Sequence, residues 1–202
     1  MSLIPHPEME PILAMMRAAP PLDYATMPIA EAREAWNQFQ KSRQGPLRDC
    51  TVRDLSVGGI PCRLLNEAAG PGLIVFVHGG GWTFGSPSSH EEFARALALT
   101  AGAPVLLPDY RLAPEHRCPA AIEDVLAVLA ALPPQKLVLG GDSSGANVAL
   151  AVAQSGVRID LLSLWYGCFA PIFDTDSHRT CGDGSFGLST ERMRWFWNNC
   201  CG

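Results

Sequence analysis

The 202-residue chain predicts an α/β domain, a three-layer α/β/α sandwich around a mostly parallel sheet. Three observations carry that reading. First, residues 73–77, 105–107, 137–139 and 161–165 are short, continuous apolar runs, the pattern of strands buried on both faces. Second, stretches with apolar residues at helical spacing lie between them, over 89–100, 119–132 and 144–154. Third, parallel strands joined through helices cross over right-handedly, which lays the helices against the sheet faces.

Taken in order, residues 7–18 place Met9, Ile12, Leu13 and Met16 on one helical face, and residues 28–40 do the same with Ile29, Ala32, Trp36 and Phe39. Pro20, Pro21 and Pro28 separate the two. Two short amphipathic helices ahead of a sheet suit a cap, or a cover for the core edge. Strand-like runs at 50–57 and 60–65 flank Gly58-Gly59, an antiparallel hairpin. The helix at 89–100 opens with Ser88-x-x-Glu91, a capping-box pattern. The helix at 119–132 opens at Pro119 and presents Ile122, Val125, Leu126 and Leu129. The expected division is a helical cap at 1–46, the α/β core at 47–187 and a second cap segment beginning at 188–202.

Composition narrows the function classes. Apolar residues make up 48% and charged residues 17%, ordinary values for a globular chain. A net charge of -5 provides no basic stripe for phosphates, so nucleic acid is not an expected partner. No apolar run is long enough to span a bilayer. The N-terminal residues lack a basic start and apolar centre, and the expected location is the cytoplasm. The seven cysteines form no C-x-x-C pair and have no neighbouring histidine cluster, so free thiols are expected and no metal or cofactor. The adjacent pair Cys200-Cys201 is unusual. Self-association through an open sheet edge is possible but has no positive signal.

Three motifs carry chemistry. Gly141-Asp142-Ser143-Ser144-Gly145 joins the run at 137–139 to the helix at 144–154. This G-x-S-x-G pattern in a strand-turn-helix setting is a nucleophile elbow, with the serine hydroxyl exposed at a helix N-terminus. Only Ser143 has glycine at both minus two and plus two. His78-Gly79-Gly80-Gly81-Trp82 follows the run at 73–77. Its glycines bring backbone N–H groups close to a ligand, where they can stabilise a tetrahedral oxyanion together with the N–H of Ser144. The spacing fits neither G-x-x-x-x-G-K nor G-x-G-x-x-G, which excludes the usual phosphate loops. His78 precedes the glycines and is expected to hold the loop through a hydrogen bond. Asp109-Tyr110-Arg111-Leu112-Ala113-Pro114-Glu115-His116 reads as a loop braced internally by Arg111 and Glu115.

Together, in this order, the three motifs resemble the hormone-sensitive-lipase-like family of α/β-hydrolases, which includes bacterial carboxylesterases and acetyl esterases. The resemblance runs from about residue 45 to about residue 197. It implies an α/β-hydrolase fold, Ser143 as nucleophile, and Gly80, Gly81 and Ser144 as main oxyanion donors, with Gly79 adjacent. It also implies hydrolysis of short to medium acyl esters, small molecules, through an acyl-enzyme.

The family places its acid and then its histidine after two further strands, in the order Ser, Asp or Glu, His. After Ser143 this sequence holds one histidine, His178, and the aspartates Asp160, Asp174, Asp176 and Asp183. His178 belongs to a polar loop, 174–179, and is expected at the surface rather than as base. By this comparison the sheet lacks its last two strands and the chain reads as C-terminally truncated. Trp195, Phe196 and Trp197 would line the acyl pocket or pack beneath it. Three readings follow: an esterase completed by further sequence, a non-catalytic binder of a small ligand, or an impaired fragment.

Overall fold

The hairpin expected around Gly58-Gly59 forms the antiparallel end of the sheet. In this computed structural model, which describes residues 6–18 and 26–202, β1 (Val52–Val57) and β2 (Ile60–Leu65) pair with Val57 opposite Ile60. Both turn glycines have positive φ, +61° and +84°, the backbone that a two-residue hairpin requires. The remaining strands are β3 (Leu73–Val77), β4 (Val105–Pro108), β5 (Leu137–Asp142) and β6 (Leu161–Trp165). They assemble in the order β1-β2-β4-β3-β5-β6. β2 meets β4 antiparallel, and β4, β3, β5 and β6 run parallel.

The helices are α1 (Glu10–Ala18), α2 (Ile29–Arg43), α3 (Glu91–Ala101), α4 (Ala120–Ala131), α5 (Ser144–Gln154), α6 (Asp176–Cys181) and α7 (Thr190–Cys201). Pro20 and Pro21 lie outside the described residues. β3 is apolar and buried along its whole length because both of its faces are covered. Val75 and Val77 point into a cluster with Val125 of α4 and Val148 and Val152 of α5. Ile74 and Phe76 point the other way, against Ala94 and Ala98 of α3. The two-residue period of a strand thus feeds two cores, each aliphatic side chain contributing roughly 1.5–3 kcal/mol on burial. A third, smaller cluster joins Ala32 and Trp36 of α2 to Phe84 and to Trp195 and Phe196 of α7. It holds the two helical segments against each other above the sheet.

Two local expectations are corrected. The capping box at Ser88 does not form: α3 starts one residue after His90, which makes no side-chain cap bond. Ser86 and Ser89 instead close a turn of their own, with Ser89 Oγ donating to the Ser86 carbonyl at 2.9 Å. That competing local hydrogen bond draws the serines away from the helix end. The polar stretch 174–179 is not purely loop, since Asp176–Cys181 forms α6, capped by Thr175, whose side chain accepts from the His178 N–H.

Position 145 sets the strictest packing limit. A methyl group at Gly145 would lie 2.1 Å from the Val77 carbonyl oxygen and 2.5 Å from that of His78. Backbone cannot step aside for it, so Gly145→Ala should cost at least about 2 kcal/mol of unfolding free energy by urea titration. Gly59 has open space and only its positive φ to lose. Gly59→Ala should cost about 1 kcal/mol in the same measurement.

Candidate active site

The site is built where β5 hands over to α5. Ser143 sits at that junction with φ 52° and ψ −120°, a conformation that costs a non-glycine residue about 1–3 kcal/mol and persists only where its surroundings enforce it. The enforcement is visible. A Cβ at Gly141 would come within 2.5 Å of the Gly145 carbonyl oxygen, so strand and helix approach as closely as bare backbone allows. The Ser143 N–H donates to the Trp165 carbonyl of β6 at 2.9 Å. The turn leaves Ser143 half-buried at the N-terminus of α5, with no hydrogen bond on its hydroxyl among the described residues.

The loop after β3, residues 78–84, lies against this elbow and is tied down almost residue by residue. The Tyr110 hydroxyl donates to the His78 carbonyl at 2.7 Å. Burial holds that hydroxyl protonated, well above its ordinary range. Gly79 N–H donates to Asp142 Oδ1 at 2.8 Å, and His90 Nε2 lies 3.4 Å from the same oxygen. Trp82 N–H donates to the Ser144 hydroxyl at 3.1 Å, and its carbonyl accepts from Ala113 N–H at 2.8 Å. Arg33, reaching down from α2, donates to the Thr83 carbonyl at 2.9 Å, the Ala113 carbonyl at 2.9 Å and both oxygens of Glu115. What remains without an acceptor among the described residues is the N–H of Gly80, of Gly81 and of Ser144.

Gly79, expected beside the main donors in the oxyanion hole, has its N–H held by Asp142 at 2.8 Å. Gly80 and Gly81 line a cavity of about 210 Å³ together with Ser143. Trp36, Phe39, Phe84 and Phe196 give that cavity aromatic walls. Phe196 of α7 lies directly over Gly81, where an added Cβ would meet its ring at 2.2 Å. Of the three aromatic residues left open between lining and packing, Phe196 lines the Ser143 cavity. Trp195 packs on Phe84 at 5.8 Å between ring centroids and Trp197 on Trp82 at 4.6 Å.

His78 holds the loop as expected but through a short local contact, Nδ1 lying 2.9 Å from the Gly79 oxygen. Its ring is fully buried and stacks on Tyr110 at 4.3 Å. Burial, with a smaller contribution from His90, pushes its pKa down to about 3, so the ring is neutral at pH 7. Arg111 and Glu115 brace their loop, yet not with each other. Arg111 grips Asp124 and Glu123 of α4. Glu115 pairs with Arg33, whose guanidinium holds the Glu115 carboxyl below its ordinary range. His178 lies on α6, 2.7 Å from the Thr175 hydroxyl through Nδ1, and does not line the Ser143 cavity. Sequence reasoning missed Asp142, Tyr110, His90 and Arg33. Each acts across a long sequence separation, which leaves no local signature.

Residues 74–202 match the family described as the α/β hydrolase fold. The chain belongs to that family. Among curated proteins it is 37% identical over 143 residues to the carboxylic ester hydrolase LipN of Mycobacterium tuberculosis (strain ATCC 25618 / H37Rv), covering 62% of this chain and 38% of LipN. It is 30% identical over 185 residues to the carboxylesterase NlhH of the same strain, covering 81% and 58%. The chain thus spans between about two-fifths and three-fifths of the length of these relatives. Among solved structures, an esterase from the bacterial hormone-sensitive lipase family superposes with TM-score 0.83 at 26% identity, over 98% of this chain and 69% of that one. DphMB1 superposes with TM-score 0.78 at 31% identity, over 93% and 67%. Among the described residues, no helix is long and apolar enough to cross a membrane.

The depressed His78 pKa sets a pH dependence. The unfolded chain takes up a proton near pH 6.5 that the folded chain refuses until about pH 3. This penalty is absent above pH 6.5 and grows as pH falls toward 3, reaching about 2 kcal/mol at pH 5. Unfolding free energy measured by urea at pH 7 and pH 5 should fall by that amount more in the wild type than in His78→Asn.

Proposed function

We propose that this chain carries the nucleophile and oxyanion hole of a serine carboxylic ester hydrolase acting on short to medium acyl esters. The observation that carries the reading is the set of unengaged N–H groups, those of Gly80, Gly81 and Ser144, around a serine held in a strained elbow. Ser143 Oγ adds to the ester carbonyl carbon, and the carbonyl oxygen becomes an anion facing these donors. Each such donor is worth ~3 kcal/mol of transition-state stabilisation. Collapse expels the alcohol and leaves Ser143 acylated, and water then releases the acid. The α5 N-terminus adds its dipole to the same developing charge. Relatives named carboxylic ester hydrolase and carboxylesterase support the ester as substrate.

Attack requires a base for the Ser143 proton, and no imidazole or carboxylate lines the cavity among the described residues. That observation favours a second reading for these 202 residues, a pocket that binds a small ester or acid with little turnover. Under the first reading a fluorophosphonate should add to Ser143 and leave Ser143→Ala unmodified, as read by peptide mass mapping; under the second it should leave Ser143 itself unmodified, because a serine without a base is a weak nucleophile. Under that second reading, hydrolysis of p-nitrophenyl acetate by the chain should run ~10⁴-fold or more below that of a relative with a working triad, the scale of loss when a triad is disrupted. Ordinary esterase rates abolished by Ser143→Ala would refute the second reading. Saturable binding of a butyrate ester by isothermal titration calorimetry without turnover would favour it.

A further inference from the structure

Three cysteines, one remote in sequence and two adjacent, come together around a cavity that Ser143 does not line. Cys118 precedes α4, and Cys200 and Cys201 close α7. All three line a second cavity, of about 200 Å³, whose apolar walls include Trp82 and Trp197. The main chains of the two segments touch: Cys118 N–H donates to the Cys200 carbonyl at 2.9 Å. Cys118 and Cys201 are exposed to solvent and Cys200 is buried. Each of the three side chains interacts with the other two. Among the described residues no group of three His, Cys, Asp or Glu side chains is arranged to hold a metal ion. Thiol–disulfide chemistry needs less, namely two thiols on segments in direct contact and a path to solvent.

We propose that Cys118 and Cys201 form a reversible dithiol–disulfide pair, oxidised by low-molecular-weight disulfides, that staples α7 to the segment leading into α4. The Cys201 thiolate attacks one sulfur of the small disulfide RSSR, forming a mixed disulfide and releasing RS⁻. The Cys118 thiolate then attacks the Cys201 sulfur, closing the protein disulfide and expelling the second RS⁻. Two protein thiols lose two electrons and two protons, and RSSR gains both as two RSH. Cys200 stays out of the exchange: it is buried, and that burial pushes its thiol far above the ordinary range. Burial also raises Cys118, which makes closure by Cys118 the step that waits on loss of the thiol proton and so the step that speeds up in alkaline solution.

The consequence reaches the other cavity. α7 carries Phe196 against Gly81 and Trp197 against Trp82. A covalent bond at its last turn holds both aromatic contacts on the loop of residues 78–84. The reduced chain relies there on the Cys118–Cys200 backbone bond and a 3.4 Å contact from Asn199 Nδ2 to the Thr83 hydroxyl.

The test is to incubate the reduced protein in glutathione buffers of rising disulfide fraction and to read intact mass and a non-reducing peptide map. The expected result is loss of two hydrogens, a cross-link between the peptides carrying Cys118 and Cys201, and full reversal by excess glutathione. Closure should accelerate about tenfold per pH unit between pH 7 and 8.5, following the thiolate fraction. Cys118→Ser should stop at a mixed disulfide on Cys201, Cys201→Ser should form no cross-link, and Cys200→Ser should behave as wild type. Oxidation should raise Tm by several degrees in the wild type and in neither of the first two variants. A bond between Cys200 and Cys201, a disulfide-linked dimer, or glutathione adducts alone at saturating disulfide would each overturn the proposal. The wild-type peptide map decides among these even if a variant fails to fold.

Discussion

The contact between the β5–α5 elbow and the loop after β3 governs the architecture of the site. It is made by two neighbouring side chains of one short segment. Asp142 takes the Gly79 N–H and Ser144 takes the Trp82 N–H, so the residues flanking Ser143 hold the loop by both ends of its glycine run. The N–H groups between those two anchors, at Gly80 and Gly81, have no acceptor among the described residues, and both glycines line the cavity. Moving either anchor would change which donors remain unengaged, and with them the electrostatic character of the site.

Behind this contact stand layers of support that differ in physical kind. Close approach of bare backbone at Gly141 and Gly145 fixes the elbow, and the cost of the Ser143 conformation is offset there. Tyr110 and neutral, buried His78 stack beneath the loop. Arg33 connects α2 to the loop through Thr83 and to the neighbouring segment through Ala113 and Glu115. The aromatic cluster of Trp36, Phe84, Trp195 and Phe196 joins α2 and α7 above the cavity. The Arg33 guanidinium and this apolar patch thus tie α2 and α7 to the loop, which is why a change in α7 bears on the geometry around Gly81.

How much of this is legible in the amino-acid order depends on the range of the interaction. β3 and β4 were readable because burial on both faces demands uninterrupted apolar residues, whereas β6 is apolar in sequence yet lies at the sheet edge with Leu161 and Trp165 exposed. The elbow was readable because a tight strand-to-helix turn tolerates only glycine at two fixed offsets from the serine. The capping box at Ser88 misled because the same serine pattern also suits a self-contained turn, and the Ser86–Ser89 turn prevailed. Glu115 was read as bracing its own loop, since nothing local announces that Arg33 arrives from α2.

By itself the sequence determined the layer order of the domain, the elbow serine and the glycine run, because each depends on local sterics or on short-range periodicity. Tertiary structure alone decided that Gly79 is engaged by Asp142 while Gly80 and Gly81 are not, that Phe196 rather than Trp195 or Trp197 lines the Ser143 cavity, and that Cys118 lies against Cys200 and Cys201. Those outcomes turn on ångström-scale placement of segments distant in the chain, which residue pattern does not encode but packing and directional hydrogen bonds do.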